Sequence, residues 1–130
     1  MLIACGTWLV GLGFYFIVLR PPLLPEDMRF MGTTIEHVRS ALPGLEGWLG
    51  KVFTIMGGFV AGTGVLMVFV ARTTVPSGAR GTGFVVAVAG VLTVALMSAT
   101  NFVLQSDFRW VLLVPPLVWL TGLVVYGMRR

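Results

Sequence analysis

Four stretches of this chain, residues 2–19, 48–71, 83–104 and 110–128, contain no aspartate or glutamate, and Lys51 is the only basic residue inside them. A helix rises about 1.5 Å per residue, so about 20 apolar residues cross a hydrocarbon core of about 30 Å. The runs are continuous in their hydrophobicity rather than alternating. Each is therefore expected as a helix, because a backbone in lipid must satisfy its own polar groups and only helices and closed barrels do so. Composition agrees with lipid as the solvent. Hydrophobic residues make up 57% of the 130 positions and charged residues 11%, whereas soluble domains hold about a quarter charged residues. The expected fold class is an all-α integral membrane protein: one domain, a four-transmembrane-helix bundle.

The one sizeable polar segment, residues 20–47, lies between the first two spans, and its pattern is that of a partly helical interfacial loop between helices 1 and 2. Pro25-Glu26-Asp27 places a proline and two acids where a short helix would begin, the end of a helix at which a missing N–H is harmless and negative charge is favoured. Thr33 and Glu36 have the spacing of a capping box. In the following IEHVRSAL, Ile35, Val38 and Leu42 fall on one face, which suits a helix lying on the membrane or against the bundle. Pro43-Gly44 ends it. Trp48 and Lys51 then enter the second span at the depth where amphipathic rings and long amines are accommodated.

An even number of spans puts Arg72, Arg80, Arg129 and Arg130 on one side of the membrane. Arg20, Arg29, Arg39, Lys51 and Arg109 fall on the other. Basic residues near span ends favour the cytoplasmic side. Arg72 and the Arg129-Arg130 pair flank their spans tightly, so the termini are expected in the cytoplasm. The net charge of +4 is dispersed, which does not suit nucleic-acid binding, a function that wants a clustered basic face.

Chemistry is harder to find. Intramembrane ionisable groups are the usual mark of proton or ion movement. The spans here lack the acid that small multidrug-type exporters carry in their first span. A single cysteine, Cys5, excludes an internal disulfide, and no CxxC is present for thiol redox. His37 is the only histidine; with Glu26, Asp27 and Glu36 it matches no metal-ligand spacing, so no metal and no catalytic residue is expected, and no cofactor is specified. The second span carries GGFVAG. In it Gly57 with Ala61 and Gly58 with Gly62 form small-xxx-small pairs, which let helices approach closely in lipid. They are the expected helix-packing or oligomer face. Pro115-Pro116 should kink the fourth span.

A polar group gathers in NFVLQSDFRW, residues 101–110. Asn101 and Gln105 are four apart and would share a helix face, with Asn101 as a bond across helices. Ser106 or Asp107 could cap the fourth helix. Arg109 is not required by a turn. Asn101, Gln105, Asp107, Arg109 and His37 therefore form the candidate polar site, in which Arg109 can pair with the acids Glu26, Asp27, Glu36 and Glu46 of the long loop and Asp107 with its PEDMRFMG stretch.

The combination of PPLLPEDMRFMG after a first span and NFVLQSDFRW between the last two resembles small four-span bacterial inner-membrane proteins with no assigned activity. That resemblance implies a bacterial inner (plasma) membrane location and no mechanism. The functional expectation is a non-catalytic accessory or assembly subunit, a homo-oligomer or a part of a larger membrane-protein complex, in contact with membrane lipid. The alternative is a small carrier or lipid- or cofactor-binding protein with a pocket under the 20–47 loop.

Overall fold

The computed structural model describes residues 1–128, and all regular structure in them is helical. Four helices are long and apolar enough to cross a membrane: α1 (Leu2–Leu19), α4 (Leu45–Ser77), α5 (Thr82–Val103) and α6 (Val111–Met128). Two short ones, α2 (Pro25–Met31) and α3 (Ile35–Ala41), occupy the loop between the first two spans. The protein is an all-α four-helix bundle with a partly helical loop.

α4 is longer than the apolar run that encodes it. Its 33 residues extend about 50 Å, well beyond the hydrocarbon. Lys51 and Arg72 stand 21 positions apart, about 31 Å along the axis, and bracket the part that crosses. The helix continues past Arg72 through Pro76 to Ser77 and ends at Gly78, whose φ of 65° is left-handed. Glycine adopts that conformation without a Cβ clash.

α1 and α4 run antiparallel with their backbones in contact. A Cβ added at Gly13 would stand 2.5 Å from the Gly57 carbonyl oxygen and from the Ala61 nitrogen. One at Gly64 would stand 2.6 Å from the Gly6 oxygen. Gly6 and Gly13 on α1, and Gly57 and Gly64 on α4, are each seven residues apart, two turns, so both contacts recur on one seam. Gly57 and Ala61 thus serve packing within the chain. Gly58 and Gly62 do not: nothing lies within 4 Å of where their Cβ atoms would be, and they look outward.

The second pair, α5 and α6, is held differently. Trp119 is 2% exposed and fills the space left by Gly90, and its indole N–H donates to the Val86 carbonyl at 3.0 Å. An indole N–H inside a membrane needs such an acceptor. Tyr126 packs on Gly83 two turns further along. The two pairs meet through α1, where Leu2 rests on Gly122 and the Cys5 thiol donates weakly to the Pro115 carbonyl at 3.6 Å. The core is small and shared: Leu2, Cys5 and Leu9 from α1, Met67 from α4, Val86 and Val94 from α5, and Trp119.

Two expectations shift. Pro115 and Pro116 do not fall in the interior of an α-helical stretch. They follow a tight 3₁₀ turn over Val111–Leu113 and occupy the second and third positions of the α-helical part, Val114–Met128, the end of a helix where missing N–H groups break no ladder. Irregularity falls instead at wide π-type turns over Tyr15–Leu19 and Val91–Ala95. In the loop, the cap of α3 is Thr34, not Thr33: its hydroxyl accepts from the His37 N–H at 3.3 Å. Of the proposed apolar face of α3, Val38 is buried and Leu42 is exposed.

Candidate functional site

A cluster of polar residues far apart in sequence meets between α2 and the turn that joins α5 to α6. α5 ends in a Schellman-type closure, in which the Ser106 N–H donates to the Asn101 carbonyl and the Gln105 N–H to the Phe102 carbonyl. Gln105 takes the left-handed position, φ 51°, which glycine usually fills. That strain costs about 1–3 kcal/mol and turns Ser106 back toward the bundle. Ser106 is 1% exposed.

The Ser106 hydroxyl donates to the Glu26 carboxylate, 3.0 and 3.1 Å from its two oxygens. Glu26 Oε2 also accepts from the Asp107 backbone N–H at 3.0 Å. The same hydroxyl oxygen accepts from the Phe108 N–H at 3.2 Å. Beside this cluster Arg29, one turn further along α2, donates to Asp107 Oδ1 at 2.8 Å. Both partners are largely exposed, so this pair contributes little stability. Asp107 nonetheless pushes the Arg29 pKa up, through the hydrogen bond first and its charge second. α2 is positioned for this by its own start: Asp27 Oδ2 accepts from the Leu24 N–H at 2.7 Å, and Pro25 opens the helix. α2 closes with Gly32 at φ 66°.

The result is a clasp: one carboxylate gathers a hydroxyl and a backbone N–H from 80 residues away. Hydrogen bonds to a charged acceptor contribute about 1.5–3 kcal/mol each. Chemically the clasp is closed. Ser106 is too buried to attack a substrate, and its hydroxyl is engaged by Glu26 and the Phe108 N–H rather than by His37. Among the described residues, no group of three or more His, Cys, Asp or Glu is placed to hold a metal.

Of the five residues marked as a polar site, the structure brings only Asp107 into the clasp. Asn101 donates to the Met97 carbonyl of its own helix at 2.9 Å rather than across to a neighbour. Gln105 is exposed in the turn and does not share the Asn101 face, because α5 ends at Val103. Arg109 makes no ion pair or side-chain hydrogen bond among the described residues. Asp107 does pair with the PEDMRFMG loop, through Arg29 and Glu26; the pattern marks Glu26 and Ser106 as capping residues and does not single out Arg29. The signal of Glu26 and Ser106 was indirect, an acid in the first turn of a short helix and a serine after a helix end, and both are ordinary capping positions.

Two concavities lie elsewhere. One of about 360 Å³ opens beside Leu42, Pro43, Leu45 and Trp48 at the junction of α3 and α4. Another of about 270 Å³ is a lateral apolar groove between α1 and α6, lined by Cys5, Trp8, Val111, Pro115 and Val118. Arg20 at the foot of α1 is held over the Phe53 ring, 3.7 Å from its centroid, with Phe16 at 5.2 Å. This cation–π contact ties the end of α1 to the start of α4. Compared with family models, with curated proteins and with solved structures, the chain matches none.

Proposed function

We propose that the protein is a non-catalytic membrane subunit that docks against another transmembrane helix through the outward face of α4. The observation that supports this reading is the division of the GGFVAG glycines. Gly57 and Ala61 are taken by α1, while Gly58 and Gly62 lie open, with exposed Ile55, Phe59 and Leu66 on the same face. Those positions follow i, i+3, i+4, i+7 and i+11, one stripe of a helix, and small residues there let a second backbone approach. The partner is a second copy of this chain or a larger membrane complex. We place it in a bacterial inner membrane with the termini and the α4–α5 turn in the cytoplasm, the side that basic residues flanking spans favour.

Native mass spectrometry from membranes tests the reading. Wild-type protein is expected as a dimer or bound to a partner, and Gly58→Leu/Gly62→Leu as a folded monomer. A wild-type monomer, or a double variant with unchanged assembly, overturns it. A pocket roofed by the loop has less support, because the clasp occupies the place where Asp107 would line it and neither concavity includes Asn101, Gln105 or Arg109.

A further inference from the structure

The two ends of the bundle differ in charge in a way that net charge hides. All five acids of the chain, Glu26, Asp27, Glu36, Glu46 and Asp107, stand at the loop end with five of the nine basic residues. Of the remaining four, Arg72 and Arg80 stand at the opposite end, where no aspartate or glutamate lies among the described residues. At the loop end arginines are already engaged: Arg29 by Asp107, and Arg39 by Glu46 through two hydrogen bonds of 3.0 and 3.1 Å. At the other end Arg72 and Arg80 are exposed, and neither makes an ion pair or hydrogen bond through its side chain among the described residues. Arg129 and Arg130 lie outside the described residues and follow Met128 directly in sequence.

Depth matters as much as sign. Arg72 sits five residues before the end of α4, about 7 Å short of it, at the edge of the stretch that crosses the hydrocarbon. Arg80 lies in the turn beyond, between Gly78 and Gly81, both at positive φ. The headgroup layer on each side of a bilayer is about 5–8 Å thick, the same scale as the distance from Arg72 to the end of α4.

We propose that this end of the bundle binds anionic phospholipid, with Arg72 and Arg80 holding the lipid phosphate. The planar guanidinium matches a phosphate with two parallel N–H donors, and no aspartate or glutamate among the described residues pairs with either one. The inference concerns the end of α4 rather than its outward face and stands apart from the docking reading. The test is retention of phosphatidylglycerol against phosphatidylcholine from mixed micelles, counted by native mass spectrometry. Wild-type protein is expected to retain phosphatidylglycerol preferentially. Arg72→Gln/Arg80→Gln should lose about tenfold or more of that preference, at about fivefold for each arginine, while Arg72→Lys/Arg80→Lys, which keeps the charge but not the paired donors, should fall between the wild type and the glutamine variant. Lys51→Gln/Arg109→Gln, at the loop end, should keep it in full. Helix content by circular dichroism verifies folding, and Arg80→Gln alone, in the turn, serves if the double variant is unstable. Equal retention of the two lipids by the wild type overturns the proposal. So does a preference that survives removal of both arginines, or one lost on changing Lys51 and Arg109 instead.

Discussion

Between α1 and α4, backbone meets backbone: the space at Gly13 and Gly57 is too small for a methyl group. Between α5 and α6, one large side chain fills the gap, with Trp119 seated on Gly90 and bonded to Val86. Both pairs lie in the same apolar medium, where lipid tails are as comfortable as leucine and burial alone does not hold helices together. The first pair gains many close dispersion contacts along a seam. The second concentrates its specificity in the Trp119 hydrogen bond and in two rings seated on glycines, Trp119 on Gly90 and Tyr126 on Gly83. A seam of glycines tolerates no addition at any of its points, whereas a ring in a notch tolerates a change that keeps its volume.

That difference can be broken by substitution. The largest effect is expected from Gly13→Leu or Gly57→Leu, which forces the backbones of α1 and α4 apart. Unfolding in mild detergent should reveal a loss of about 3 kcal/mol or more, at the upper end of overpacking costs. The same change at Gly58, on the open face, should alter folding stability by less than about 0.5 kcal/mol; equal losses at Gly57 and Gly58 would refute the division of the two faces. Next comes Trp119→Phe, which keeps a ring but removes the donor to Val86. The expected cost is about 1–2 kcal/mol, the range of an interhelical bond in lipid with a small void added.

The clasp supplies a third kind of contact against which to set both pairs. Glu26→Gln removes the charge that gathers Ser106 and the Asp107 N–H, at a cost of about 1–2 kcal/mol. Its readout is local: faster amide exchange in residues 25–31 and 104–108 with the spans unchanged. Exchange that stays slow in both segments would mean that the loop is held by something other than this carboxylate. The smallest effect is expected from Arg29→Ala, which removes an exposed ion pair and should leave the unfolding midpoint where it was.

Much of the fold was legible because membrane helices are local objects. Hydropathy over about 20 residues and self-satisfied backbone bonds suffice to find four spans. The apolar runs coincide with helices to within a few residues except at α4, which outruns its apolar run at both ends because nothing in Glu46 or Thr73-Thr74 stops a helix. Pro25-Glu26-Asp27 marked α2 correctly for the same reason: a helix start depends on its own first turn. The candidate site was far less legible. Asn101 and Gln105 share a face only if the helix continues through both, and it ends at Val103. Glu26 and Ser106 are 80 residues apart, and neither has a local pattern that points to the other.

The sequence by itself determined what kind of solvent this chain requires, how many times it crosses, that its middle loop is partly helical and that all its acids lie at one end. Those follow from composition and from interactions within a few turns. Only the tertiary structure decided which glycines are spent on α1 and which are left open, that Pro115 and Pro116 stand in the first turn of the α-helical part of α6, and that Glu26 reaches Ser106. Those depend on how each helix is rotated about its axis. Rotation is set by contacts between distant segments, and hydropathy that is nearly uniform around a membrane helix carries little information about it.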